Sequence, residues 1–208
     1  SAINAYLDYC GLEDLRMRLL KVQRQSFLEE SKELSKVEYK RLLNTACYQK
    51  NHRLYTIILT LGSTGIRIGE LCYITAEAVR SGRAKIHLKG KNRTVILNKG
   101  LRHKLGMYMK KQGVKTGCIF RTRGGRPVDR SNICHEMKRL SREAGVDSSK
   151  VFPHNLRHLF AREFYEVEKN LAHLADVLGH SRIETTRIYV AVSARVHEKI
   201  LDKMRLII

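Results

Sequence analysis

The sequence predicts a mainly α-helical domain with one small antiparallel β-sheet, an α+β arrangement. Three observations support this. Apolar residues recur at helical spacing along most of the chain. Ser-x-x-Glu capping boxes stand at two helix starts, Ser35 with Glu38 and Ser181 with Glu184. Paired strands are suggested in one region, where 84–88 and 93–97 flank the turn Lys89-Gly90-Lys91-Asn92.

In chain order, residues 1–20 read as helical, with Ile3, Leu7, Leu12, Leu15 and Leu19 among the apolar positions. The polar stretch 21–31 reads as a linker. Beyond it, Leu34 and Tyr39 form a hydrophobic staple around the first capping box, and the helix that follows carries Val37, Leu42 and Leu43. A second apolar helix covers 54–61 and ends at Gly62-Ser63-Thr64-Gly65, from which a short helix leaves over 68–73. After the hairpin, 101–110 reads as helix, 118–120 as a short strand and 123–127 as a turn. Helices then follow over about 129–144, 154–165, 170–178, 182–189 and 193–205, with Pro153 suited to a helix start.

Charge narrows the function. Forty Lys+Arg against twenty Asp+Glu give a formal +20. Residues 80–130 hold sixteen Lys/Arg and one acid, Asp129, a net +15 of that total, whereas residues 1–48 hold eight bases and seven acids. A localised excess makes a field that attracts a polyanion, with nucleic acid as the partner and salt-dependent binding as the consequence. The basic stretch reads as strands and turns rather than a basic amphipathic helix, which weakens a membrane-surface reading. Five cysteines (Cys10, Cys47, Cys72, Cys118, Cys134) without a CxxC pair speak against a disulfide framework or zinc ribbon. No apolar run has transmembrane length. The expected location is cytoplasmic and nucleoid-associated, and the Ser-Ala opening reads as a piece of something longer.

Three motifs carry chemistry. In Thr64-Gly65-Ile66-Arg67-Ile68-Gly69-Glu70-Leu71, an arginine at a Gly-rich turn entering a helix can meet an anion, or can be a surface arginine. In His154-Asn155-Leu156-Arg157-His158, the spacing puts His154, Arg157 and His158 on one helical face. Arginine offers a planar fork to two phosphate oxygens and histidine moves protons near neutral pH. His154 and His158 also have metal-ligand spacing, but no HExxH glutamate intervenes and the arginine would repel a cation. In Leu178-Gly179-His180-Ser181, Gly179 ends one helix and leaves His180 between two. Tyr189 follows nine residues later, one tyrosine among nine.

Taken together and in this order, the motifs TGIRIGEL, HNLRH and LGHSRIETTRIY resemble the tyrosine recombinase (phage integrase) family over about residues 32–208. The resemblance implies the tyrosine recombinase catalytic-domain fold over 32–208. It makes 1–20 the last helix of a separate DNA-clamping (core-binding) domain, otherwise mostly absent here, and 21–31 the linker. It implies site-specific cutting and rejoining of DNA through a 3′-phosphotyrosyl intermediate, with no cofactor, neither ATP nor metal.

The resemblance also implies the roles. Tyr189 attacks the scissile phosphate, Arg67 and Arg157 clamp its non-bridging oxygens, His180 adds a hydrogen bond and His154 assists proton transfer from the tyrosine. A hairpin lysine protonates the leaving 5′-oxygen; Lys89 matches best, with Lys91 two residues on. Glu70 and Asp176 support the site by packing or hydrogen bonding. The implied partners are double-stranded DNA and further copies of the chain, no membrane among them: a tetramer on DNA, docked through a C-terminal helix with an apolar stripe at Val196, Ile200 and Met204, and a monomer when free. Alternatives are a type IB topoisomerase, which shares the attack, a catalytically silent DNA-binding relative, and a zinc hydrolase built on His154, His158 and His173.

Overall fold

A computed structural model of the chain describes residues 2–17, 32–88, 91–122, 124–180 and 183–187. Among these, nine α-helices and a two-stranded antiparallel sheet bear out the mainly helical α+β reading. The helices are α1 (Ala2–Tyr9), α2 (Lys36–Tyr48), α3 (His52–Thr64), α4 (Ala76–Ser81), α5 (Lys99–Gln112), α6 (Arg130–Glu143), α7 (Pro153–Glu168), α8 (Leu171–Leu178) and α9 (Glu184–Arg187). The strands are β1 (Arg83–Leu88) and β2 (Lys91–Ile96), and a 3-10 helix spans Ile68–Tyr73.

Helix α3 is the central post, packed against α2, α5, α6 and α7. Its Leu54, Ile57, Ile58 and Leu61 are buried, and so are Thr56, Thr60 and Thr64. A buried hydroxyl needs a partner. Each of these threonines donates to the carbonyl four residues back, at 2.8, 2.7 and 2.6 Å. At its end Gly65 adopts φ +63°, and a Cβ there would sit 2.3 Å from the Phe160 ring, so glycine is what lets α7 approach.

The Ser35–Glu38 capping box forms as the sequence predicts, with Ser35 Oγ accepting from the Glu38 amide at 3.1 Å and Glu38 Oε2 from the Ser35 amide at 2.7 Å. Val37 is exposed, however, and the core face of α2 is Leu42 and Ala46. Pro153 takes the first turn of α7. Residues 1–20 are not one helix: α1 gives way to a 3-10 turn at Glu13–Leu15.

Three sequence expectations need correction. Helix α4 was not anticipated, although Thr75 accepts from the Ala78 amide at 3.1 Å and Gly82 closes it at φ +76°, both readable signals. The hairpin pairs Leu88 with Lys91, so Lys91 and Asn92 belong to β2 rather than to a four-residue turn. Residues 118–120 form no strand; Thr75 and Cys118 make an isolated bridge, and the backbone bonds from Ile119 to Ile74 and from Val128 to Phe120 do not extend it into a ladder. The second capping box, at Ser181, and the helix expected over 193–205 lie outside the described residues.

On the sheet, Ala84, Ile86, Val95 and Leu97 face the core while Arg83, Lys85, His87, Thr94 and Ile96 face outward. Arg93 shares the inward parity and pairs in register with Ile86. The Tyr73 hydroxyl donates to the His87 carbonyl and pins the hairpin to the 3-10 helix. Among the described residues no helix is long and apolar enough to cross a membrane.

Candidate active site

The site grows from the α3–α7 contact. Gly65 ends α3, and Arg67 stands at the head of the 3-10 helix, its extended backbone (ψ 149°) turning the chain into it. Glu70 closes this turn: its Oε2 accepts from the Arg67 amide at 2.8 Å and its Oε1 lies 3.4 Å from Arg67 Nη1. The Arg67 side chain stays 46% exposed.

Helix α7 supplies the second group. Its apolar side, Leu156 and Leu159, enters the main core, while Phe160 and Phe164 pack with Ala161, Leu174 and Leu178. Asn155 is held by the carbonyls of Lys32 and Lys150, at 3.0 and 2.8 Å, and Arg162 by Glu33 and the Leu34 carbonyl, which fixes the helix to the chain before α2. Arg157 is 1% exposed. Its Nη1 donates to the Gly65 carbonyl at 2.6 Å, and its Nη2 reaches the Leu178 carbonyl and His180 Nε2, both at 2.8 Å.

The third group follows from the end of α8, where Gly179 turns at φ +68° and leaves His180 facing Arg157. An arginine nitrogen can only donate, so His180 Nε2 accepts. Its proton then sits on Nδ1, which donates to Thr186 Oγ1 at 2.8 Å on α9. Thr186 is buried, so α9 is tied to the histidine.

His154 and His158 meet edge to face, ring centroids 4.7 Å apart. Partial burial, with the charges of Arg157 and Arg67, holds His154 below its ordinary value, so it is neutral at pH 7 and able to accept a proton. Burial pushes His158 down to about 4, helped by His154, Arg157 and Arg162. His173 lies elsewhere, against Phe164 and Glu168, and among the described residues no group of three His, Cys, Asp or Glu is placed to hold a metal. The zinc-hydrolase reading therefore loses its ligand set.

Arg67, His154, Arg157 and His180 thus converge from three separate parts of the chain. Lys89 and Tyr189 lie outside the described residues, with α9 ending two residues before Tyr189. Asp176 is exposed on α8. One residue was not anticipated: Arg93 donates to Glu70 Oε2 at 2.6 Å and to the Val177 carbonyl. The signal for it was period two, since Arg93 has the parity of Val95 and Leu97 and a charge at a core-facing strand position needs a buried partner. A cavity of about 620 Å³ beside Arg53, Tyr108 and Arg121 includes none of the four converging residues.

Residues 32–195 match the model of the phage integrase family. The chain belongs to that family. It is 32% identical to tyrosine recombinase XerA of Thermococcus kodakarensis over 99% of this chain and 73% of that protein. The fold matches the crystal structure of XerA recombinase with a TM-score of 0.72 at 25% identity, over 100% of this chain and 74% of that one. It also matches a λ integrase tetramer bound to a Holliday junction with a TM-score of 0.66 at 16% identity, over 89% and 56%. The chain is a tyrosine recombinase, an enzyme of site-specific DNA strand breakage and rejoining.

Proposed function

We propose that Arg67, Arg157 and His180 bind the non-bridging oxygens of a scissile DNA phosphate while Tyr189 attacks its phosphorus. The Tyr189 Oη–P bond forms, the P–O5′ bond breaks, the phenolic proton passes to His154, and the departing 5′-oxygen takes one from Lys89. The product is a 3′-phosphotyrosine and a free 5′-hydroxyl. Attack by another strand's 5′-hydroxyl reverses each transfer, and the bond energy held in the phosphotyrosine makes a separate energy source unnecessary. A tyrosine with its ordinary pKa near 10 is a poor nucleophile at pH 7, and two guanidiniums with a neutral histidine are the groups that lower this cost.

The observation that carries this reading is the contact of Arg157 with both the Gly65 carbonyl, two residues before Arg67, and His180. One fixed guanidinium, one exposed arginine and an imidazole around one point are the groups an anion site needs. The exposed bases of residues 80–130, Lys85, Lys99, Lys104, Lys110 and Lys111 among them, would grip the flanking backbone.

On this reading residues 1–20 belong to a DNA-clamping domain, 21–31 are a linker and 32–208 the catalytic domain. The exposed Ile3, Tyr6 and Tyr9 of α1, a helix with no buried residue, are consistent with a helix that packs in another domain. The chain would act next to the nucleoid as a mobile-element integrase or a resolvase-like relative, monomeric when free and tetrameric on DNA through the stripe Val196, Ile200 and Met204, as the λ integrase tetramer on its junction suggests.

The test is covalent capture. The full chain is incubated with a library of nicked duplexes of randomised sequence, without added metal, and adducts are resolved on a denaturing gel. Wild type is expected to form an adduct whose DNA, once sequenced, reveals the site, and Tyr189→Phe to form none. An adduct that persists in Tyr189→Phe would overturn the assignment of the nucleophile.

A further inference from the structure

Glu70 is 1% exposed, the sole buried acid among the described residues. A carboxylate out of water needs a counter-ion, and two arginines flank this one. Arg67 is the weaker partner, at 3.4 Å with its side chain 46% exposed; Arg93 is the stronger, at 2.6 Å and 12% exposed. We infer that Arg93 is a positioning residue that neutralises Glu70 and so leaves the Arg67 guanidinium open to the substrate phosphate, an inference that rests on the phosphate-binding role proposed above for Arg67.

The geometry supports a division of labour. Glu70 Oε2 takes the Arg67 amide and Arg93 Nη2 together, so the backbone of Arg67 is fixed while its side chain is not. The other arm of Arg93 donates to the Val177 carbonyl near the end of α8, and its stem lies over Gly179, where a Cβ would come 2.5 Å from Arg93 Cδ. One side chain from β2 therefore ties the Arg67 turn to the α8 end that presents His180. Without the Arg93 charge, the cation left in ion-pair reach of Glu70 among the described residues is Arg67 itself. The carboxylate then draws that guanidinium down and removes it from solvent.

Single-turnover adduct formation on a captured duplex tests this. Arg93→Met is expected to slow the step about 100-fold, the scale of a lost transition-state donor, with DNA affinity changed by less than about threefold. Adding Glu70→Gln removes the competing charge, and the double variant is expected to regain about tenfold of that loss. Loss of packing alone predicts no such recovery. Arg93→Lys keeps a charge without the arm to Val177 and is expected within about tenfold of wild type. A double variant no faster than Arg93→Met, an Arg93→Met at wild-type rate, or a Lys variant as slow as Met would each overturn the inference. A readout independent of activity is the Arg67 Nε–Hε NMR resonance of the free chain, expected to slow in solvent exchange in Arg93→Met. If wild type forms no adduct, the strand-cleavage reading of the site fails, and this resonance still decides on Arg93: unchanged exchange rejects it.

Discussion

Arg157 is 1% exposed and commits its guanidinium to the Gly65 and Leu178 carbonyls and to His180, whereas Arg67, across the same turn, keeps 46% of its side chain exposed with one long contact to Glu70. Both belong to the phosphate site proposed above. Arg157 is fixed before any ligand arrives, and its bonds join α7 to the ends of α3 and α8. Arg67 is fixed through its backbone alone. One arginine therefore belongs to the fold as much as to the chemistry, while the other is a separable functional group.

Substitution can break this contrast, and Arg157→Met is expected to have the largest effect. It strands the Gly65 and Leu178 carbonyls, each costing about 1–3 kcal/mol when buried without a donor, and it removes a phosphate donor. Urea unfolding should show a loss of about 3 kcal/mol, and adduct formation should be undetectable. Wild-type stability in this variant would show that Arg157 is no structural bond. Arg67→Ala comes next: cleavage slows about 100- to 1,000-fold, the scale of one lost transition-state donor, with stability within about 0.5 kcal/mol of wild type. A comparable loss of stability in Arg67→Ala would erase the distinction.

The smallest effect sharpens the contrast from the histidine side. The His158 pKa is held down to about 4 in the fold, against 6.5 when unfolded. The folded state favours the neutral ring, so its contribution is complete above about pH 6.5 and fades as pH falls toward 4. At about 1.4 kcal/mol per unit, discounted for the partial exposure of the ring, stability should drop by roughly 1 kcal/mol between about pH 7 and pH 5. His154, lowered in the same direction, adds to this slope. Denaturant melts of His158→Gln should lose most of the slope, and an unchanged slope would place the titration elsewhere.

What the sequence revealed, and what it hid, divides by the range of the interaction. The Ser35–Glu38 capping box spans three residues and was legible in full, as was the Pro153 start of α7. Arg67, His154, Arg157 and His180 stood out because each is embedded in a local motif, and the family resemblance joined them. Helix α4 escaped because its six residues carry too short a pattern, although its Thr75 and Gly82 caps were in view. The hairpin turn was read two residues too long because Lys91 and Asn92 look like turn residues, whereas pairing of Leu88 with Lys91 sets the register. Arg93 meets Glu70 and Val177 at separations of 23 and 84 residues. No local spacing encodes contacts of that kind; strand parity marks the residue as unusual without saying what it touches.

The Arg157–His180 bond has a consequence for the resting molecule. As arranged, the Nε2 lone pair of His180 accepts a guanidinium proton, so that lone pair is taken up within the resting site. For His180 to donate at Nε2 to a phosphate, as proposed above, the ring has to leave Arg157 and gain a proton there or change tautomer. Substrate entry is then an exchange of partners rather than the filling of a vacancy. Because Nδ1 of the same ring holds Thr186 on α9, that exchange reaches the helix that ends two residues before Tyr189, the nucleophile proposed above.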